Sequence, residues 1–404
     1  MQTLSLHPRE RCMRSLILVL GALVLAAAGG AGWWLLVAEE ASPPGGREPA
    51  AGSVVPSETL PGAREPVRVR TEPARETGAA RPFTALNNRA VEALEAGDAA
   101  GAVELLERCV AGDPESAVYR DNLAEALVRL AFLQRESEHG RELAIPTLER
   151  AVELAPGRED LGPLLERWRT ELELERDFWS DESARFVLSY DGAREDVLHA
   201  YQDVLDMLES AYFDLQLAFR RDPIAEGRPK VRVILYRRAG FGELTGLGDW
   251  AGGAFDGRVR VPLEQLDGQR AELRQVLRHE LAHWFVREVG GRGVPGWLDE
   301  GLAQWLEEGR AADVARARAR LAGGEPLPLE RLAGSLASWE DEQAVGRAYA
   351  QALALVDHVA SQYGDDVLFE MVAERARGRR CEDTFEARTN VALDLVLADL
   401  YASL

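Results

Sequence analysis

The spacing of apolar positions changes several times along this chain, and each change marks a segment. Ser15 to Ala38 is an unbroken apolar run of 24 residues without a charge. At about 1.5 Å per residue it is long enough to cross a hydrocarbon core of about 30 Å. Arg9, Arg11 and Arg14 precede the run and Glu39 and Glu40 follow it. The positive-inside rule therefore keeps residues 1–14 in the cytoplasm and sends the rest across. The expectation is a single-pass membrane anchor over 15–38, with the later segments outside the cytoplasm. A signal peptide cleaved near Ala26-Ala27-Ala28 is the alternative and would release a secreted protein. Trp33-Trp34-Leu35-Leu36 carries the apolar run past that point and favours the anchor.

Residues 39–82 lose the apolar pattern. Pro43-Pro44-Gly45-Gly46, Pro61-Gly62, Pro66 and Pro73 alternate with Arg, Glu and Ala, which predicts a linker with too little apolar surface to order itself. From residue 83 to 175 the pattern turns helical and repeats. Asn88-Arg89-Ala90 and Asn122-Leu123-Ala124 stand 34 residues apart, the period of tetratricopeptide-like repeats. Helices are predicted over Leu86–Leu94 and Ala102–Val110, then a second unit from Val118 to Ala155-Pro156 with an insertion at Ser137–Gly140. A capping helix follows over Leu161–Leu172. Such helix pairs stack into a groove that holds a protein segment, or serve as a spacer.

The pattern over 176–404 mixes periods. Arg185–Tyr190, Lys230–Tyr236 and Arg258–Pro262 read as strands, and Arg194–Arg220 as one long amphipathic helix. A glycine-rich loop is predicted from Gly240 to Gly253. It lacks the Gly-Lys-Ser/Thr ending of a phosphate cradle, so it reads as a cleft rim.

The chemistry lies in His279-Glu280-Leu281-Ala282-His283 and in Trp297-Leu298-Asp299-Glu300-Gly301. Imidazoles four positions apart share one helix face and reach one metal ion. Val276, Leu277, Leu281, Ala282, Trp284, Phe285 and Val286 make the rest of that helix apolar, so its polar trio needs partners. A catalytic zinc takes three protein ligands and leaves one position open. Glu300 supplies the third ligand from a second helix. Glu280 is placed to activate a zinc-bound water as general base.

These two motifs resemble the gluzincin metallopeptidases of the peptidase MA-like group. The resemblance implies zinc ligation by His279, His283 and Glu300, and a general base at Glu280. It also implies an oxyanion stabiliser on a later helix, for which Tyr349 is the candidate, ahead of His358 and Tyr363. Asp299 and Gln304 stand beside Glu300 as groups that could orient ligands. Related aminopeptidases carry Gly-Ala-Met-Glu-Asn upstream of the zinc helix. Gly253-Ala254-Phe255-Asp256-Gly257 departs from it, with Asp256 shorter and the Asn absent, so endopeptidase action on an extended segment is expected. The fold class expected is α+β, a gluzincin-type domain over 176–404 preceded by the all-α repeats and a transmembrane helix.

Charge and cysteine content narrow the partners. The net charge of −21, from 47 basic and 68 acidic residues, argues against nucleic acid. The substrate expected is a protein or peptide, with a possible protein partner at the repeats. Lys230 is the single lysine among many arginines, a bias that suggests a bacterial genome rich in G and C. The localisation expected from the anchor is the bacterial inner membrane, with the later domains on the extracytoplasmic side. Cys12, Cys109 and Cys381 make no disulfide framework. The alternative to an enzyme is a membrane-anchored scaffold that keeps a metal site for folding. An intact Glu280 favours the enzyme.

Overall fold

A computed structural model describes residues 83–404, apart from 137–139, 246–252, 256, 267, 292, 337, 338 and 340. The predicted anchor and linker lie outside the described residues, as do Asp256 and residues 246–252 of the predicted glycine-rich loop. The described chain opens with five helices, α1 (Thr84–Glu95), α2 (Ala99–Gly112), α3 (Ala117–Glu136), α4 (Arg141–Leu154) and α5 (Leu161–Leu174), each packed on the next. Their small residues set the spacing, with Ala90, Ala102, Ala124, Ala131 and Ala151 buried between Leu94, Leu106, Leu127 and Leu148. Asn122 donates to Asn87 Oδ1 at 2.8 Å between α3 and α1, so the two asparagines satisfy each other inside the layer.

A five-stranded sheet follows, made of β1 (Phe178–Glu182), β2 (Phe186–Asp191), β3 (Val231–Tyr236), β4 (Ala254–Phe255) and β5 (Val259–Pro262). Its order is β1-β2-β3-β5-β4. The outer pairs are antiparallel and the two central pairs parallel. The long helix predicted between β2 and β3 is broken at His199-Ala200 into α6 (Glu195–Leu198) and α7 (Tyr201–Phe219). From Val233 to Tyr236 the β3 strand is apolar on both sides because both of its faces are covered. Val231, Val233 and Leu235 face the main core, while Ile234 and Tyr236 pack with Phe241 and Leu244 on the other side. Those last two residues belong to α8 (Arg238–Thr245), a helix where a glycine-rich loop is predicted. Gly240 lies in it against Leu174, in helical backbone and not in a turn.

Helix α9 (Arg270–Gly290) runs from the sheet and carries the two histidines. Then come α10 (Gly296–Trp305), α11 (Arg310–Leu321), α12 (Glu342–Tyr363), α13 (Asp366–Arg375), α14 (Cys381–Thr389) and α15 (Leu393–Ala402). The α+β expectation is corrected by this architecture. The described chain is mostly helical, and its one small mixed sheet has strands of two to six residues interleaved with helices. Among the described residues no helix is long and apolar enough to cross a membrane, so the transmembrane helix of the expected architecture finds no support. Cys109 and Cys381 are both buried free thiols.

The five-helix segment is tied to the sheet by a buried ionic cluster. Glu171 of α5 holds Arg258 beside β5, Arg260 of β5 at 3.2 Å and Arg135 of α3. Glu175 accepts from Tyr236 and lies 3.5 Å from Arg260. These ion-paired side chains are all at most 6 % exposed. Charges so well removed from water persist only when paired and hydrogen-bonded.

Candidate metal centre

Two close approaches set the position of Glu300. A Cβ on Gly296 would meet the Gly334 carbonyl oxygen at 2.0 Å, and one on Gly301 would meet the Ala352 carbonyl oxygen at 2.6 Å. Only glycine lets α10 seat this tightly at its entry and against α12. The Trp297 and Gly296 amides donate to the Leu332 and Ala333 carbonyls, which fixes the entry further. Gln304 donates from α10 to the Glu300 and Tyr349 carbonyls. It thus joins α10 to α12 and touches no ligand side chain.

The two histidines and Glu300 come together, with one ligand atom from each lying within 4.8 Å of the others. His279 Nε2 and His283 Nε2 are 3.2 Å apart. Glu300 Oε2 is 3.9 Å from the first and 3.6 Å from the second. Donors about 2.0–2.2 Å from a tetrahedral zinc stand roughly 3.3–3.5 Å from one another. The triangle fits such an ion with small adjustments.

The outer ring nitrogens explain why the inner ones face each other. His279 Nδ1 lies 2.7 Å from Glu307 Oε1, and His283 Nδ1 lies 2.8 Å from Asp299 Oδ1. An ionised carboxylate only accepts, so each Nδ1 carries the proton. Each neutral ring is then left with a bare Nε2 lone pair, and the two lone pairs meet at 3.2 Å. Two facing acceptors require a shared cation, a proton or a metal ion. The upward shifts report the same demand. Burial works against charge on His283, but Asp299 and Glu300 push it up to about 10. Burial likewise opposes charge on His279, and Glu307 turns its shift upward.

Glu280 is 5 % exposed and makes no hydrogen bond among the described residues. Burial pushes its carboxyl above the usual range, partly offset by His279 and His283. Gly253, just before β4, lies directly against it, since a Cβ there would meet Glu280 Oε1 at 2.5 Å. Tyr349 donates to Glu300 Oε1 at 3.2 Å, and burial and then Glu300 hold its phenol well above its usual value. His358 is instead paired with Asp399 at 3.0 Å, and Tyr363 rests against the Phe385 ring. Neither joins the cluster.

Glu307 is the residue that sequence reasoning missed. It lies beyond the end of α10 in a Glu-Glu-Gly turn that reads as solvated surface. Arg278 donates to the neighbouring Leu306 carbonyl, which holds that turn against α9. Carboxylates that fix a ligating imidazole typically contribute 10- to 100-fold in metal affinity. Glu307→Gln and Asp299→Asn are each expected to weaken zinc binding by about that factor, read by competition with a chelator of known affinity. Unchanged affinity in both variants would show that the two contacts do not orient the ligands.

No protein-family model matches the chain, and a search of curated proteins gives no match.

Proposed function

We propose that this protein is a zinc-dependent peptidase, an endopeptidase that hydrolyses a bond in an extended protein segment. The observation that carries the reading is the pair of facing Nε2 atoms, each with its Nδ1 anchored on a carboxylate, closed into a triangle by Glu300. His279, His283 and Glu300 would hold the zinc ion. Bound zinc supplies Lewis acidity, polarising a carbonyl and acidifying water. Glu280, buried and without a competing hydrogen bond, takes the proton from the attacking water and returns it to the leaving amine. The Tyr349 hydroxyl keeps its proton at neutral pH and donates to charge developing on the carbonyl oxygen. A purely structural metal site has no use for an unpaired buried carboxylate such as Glu280.

The substrate's course follows from the sheet. Among the described residues strand β4 pairs only with β5 and stands at the edge of the sheet, with Gly253 against Glu280. A peptide added along that edge gains backbone hydrogen bonds regardless of its sequence. The test is cleavage of an unstructured protein by the full-length chain, before and after chelation. Cleavage lost on chelation and restored by zinc supports the reading. Chelator-insensitive cleavage, or none from zinc-loaded protein, would overturn it.

A further inference from the structure

Arg287 lies seven residues beyond Glu280 on α9, which returns it to nearly the same helix face, about 10 Å along the axis. Its guanidinium stacks over the Phe255 ring of β4 at 5.7 Å. Gly253 lies against Glu280 and Phe255 against Arg287, so the edge strand follows α9 from one residue to the other. Two other arginines of α9 are ion-paired. Arg270 is paired with Asp203, and Arg278 is paired with Asp214 at 2.6 Å. The next residue, Glu288, pairs with Arg228 at 2.8 Å. Arg287 forms no ion pair and no hydrogen bond among the described residues, in a chain whose net charge is −21. Its side chain is only partly exposed, with the planar face occupied by an aromatic ring and the N–H edges left for an acceptor.

We propose that Arg287 is a specificity-determining residue of the cleft, forming a subsite for a substrate carboxylate. The inference rests on the peptidase reading, because that reading puts an extended chain along β4. An extended chain rises about 3.4 Å per residue, so the span from Glu280 to Arg287 corresponds to roughly three residues. The carboxylate therefore sits about two or three residues to one side of the bond cleaved. A guanidinium already held by stacking loses little freedom when it grips a carboxylate through two parallel N–H bonds. An Asp or Glu side chain and a terminal carboxylate offer the same chemistry.

The test uses the full-length chain carrying Glu280→Gln, so that bound peptides are not consumed, and reads affinity by calorimetry. The probes are host peptides of Ala and Gly with a single Glu, or Gln in its place, at each of three positions either side of the centre. Every probe is made with a free and with an amidated C-terminus. A Glu peptide is expected to bind tighter than its Gln match by tenfold or more at one position only. Adding Arg287→Gln should erase that ratio, and adding Arg287→Lys should keep part of it. Preference that follows the free C-terminus instead of the Glu would assign the subsite to a terminal carboxylate and retain Arg287 as its holder. Equal Glu and Gln affinities at all positions, or a ratio unchanged by Arg287→Gln, would overturn the proposal. Failure of the peptidase reading shows separately, as zinc-loaded wild-type protein that cleaves none of the probes.

Discussion

Glu280→Gln is expected to keep its zinc and lose its turnover. The substitution preserves shape inside a site only 5 % exposed and removes nothing from the triangle of His279, His283 and Glu300. What disappears is a carboxylate that makes no hydrogen bond among the described residues. General-base catalysis by such a group contributes about 10²- to 10⁴-fold, so kcat should fall by at least that range. The wild-type pH profile provides a second reading. Because burial raises the carboxyl above its usual range, it stays protonated to a higher pH than an exposed glutamate. Activity should therefore fall on acidification through a pKa above the usual glutamate value of about 4.3, and this limb should be missing from the residual activity of the variant. Retained activity with an unchanged profile would remove Glu280 from its role.

Glu171→Ala should be among the most destabilising single changes in the described chain. One carboxylate serves Arg135, Arg258 and Arg260, and its side chain is 3 % exposed. Removing it leaves three guanidinium groups with a lost partner in a poorly hydrated interior. Breaking a buried ion pair from one side typically costs about 3–5 kcal/mol. Equilibrium unfolding in urea would show the loss as a lower midpoint. A drop below about 1 kcal/mol, the range of exposed ion pairs, would mean that water enters the cluster and carries much of its charge.

The cluster also shows where sequence reading stops. Glu171 stands in a Thr-Glu-Leu-Glu-Leu-Glu stretch that alternates like an amphipathic surface, and its partners are 36 to 89 residues away. Nothing local distinguishes a carboxylate that will meet three arginines from one that will meet water. The histidine pair was legible for the opposite reason. Its geometry is set by helical spacing alone, and the second helix was read from the motif Trp297-Leu298-Asp299-Glu300-Gly301. That the packing requires glycine at 296 and 301 shows only in the structure. Tyr349 was singled out through the family resemblance, as a tyrosine on a later helix. Its hydroxyl reaches Glu300, whereas His358 on the same helix faces Asp399. Glu307 was not legible, because its position depends on a turn held by Arg278 across helices.

At the level of the fold, helices were read more faithfully than their context. Gly240 and its neighbours suggested a loop and form α8, whose Phe241 and Leu244 pack on Ile234 and Tyr236. The run 194–220 suggested one helix and is two, since apolar periodicity persists across a one-turn break at His199-Ala200. Strands β2, β3 and β5 were read from the sequence, β1 and β4 were not, and the strands were overweighted. Five short strands within so many helices make a mostly helical protein with a small mixed sheet, not an α+β layer structure.

The central claim is that His279, His283 and Glu300 hold one zinc ion. The most direct measurement is the metal content of the full-length chain, purified without chelator and read by elemental mass spectrometry, beside His283→Ala and Glu300→Ala. The account predicts one zinc per wild-type chain and a marked loss in both variants. A wild-type chain that takes up no zinc, or variants that bind it as fully as the wild type, would contradict it.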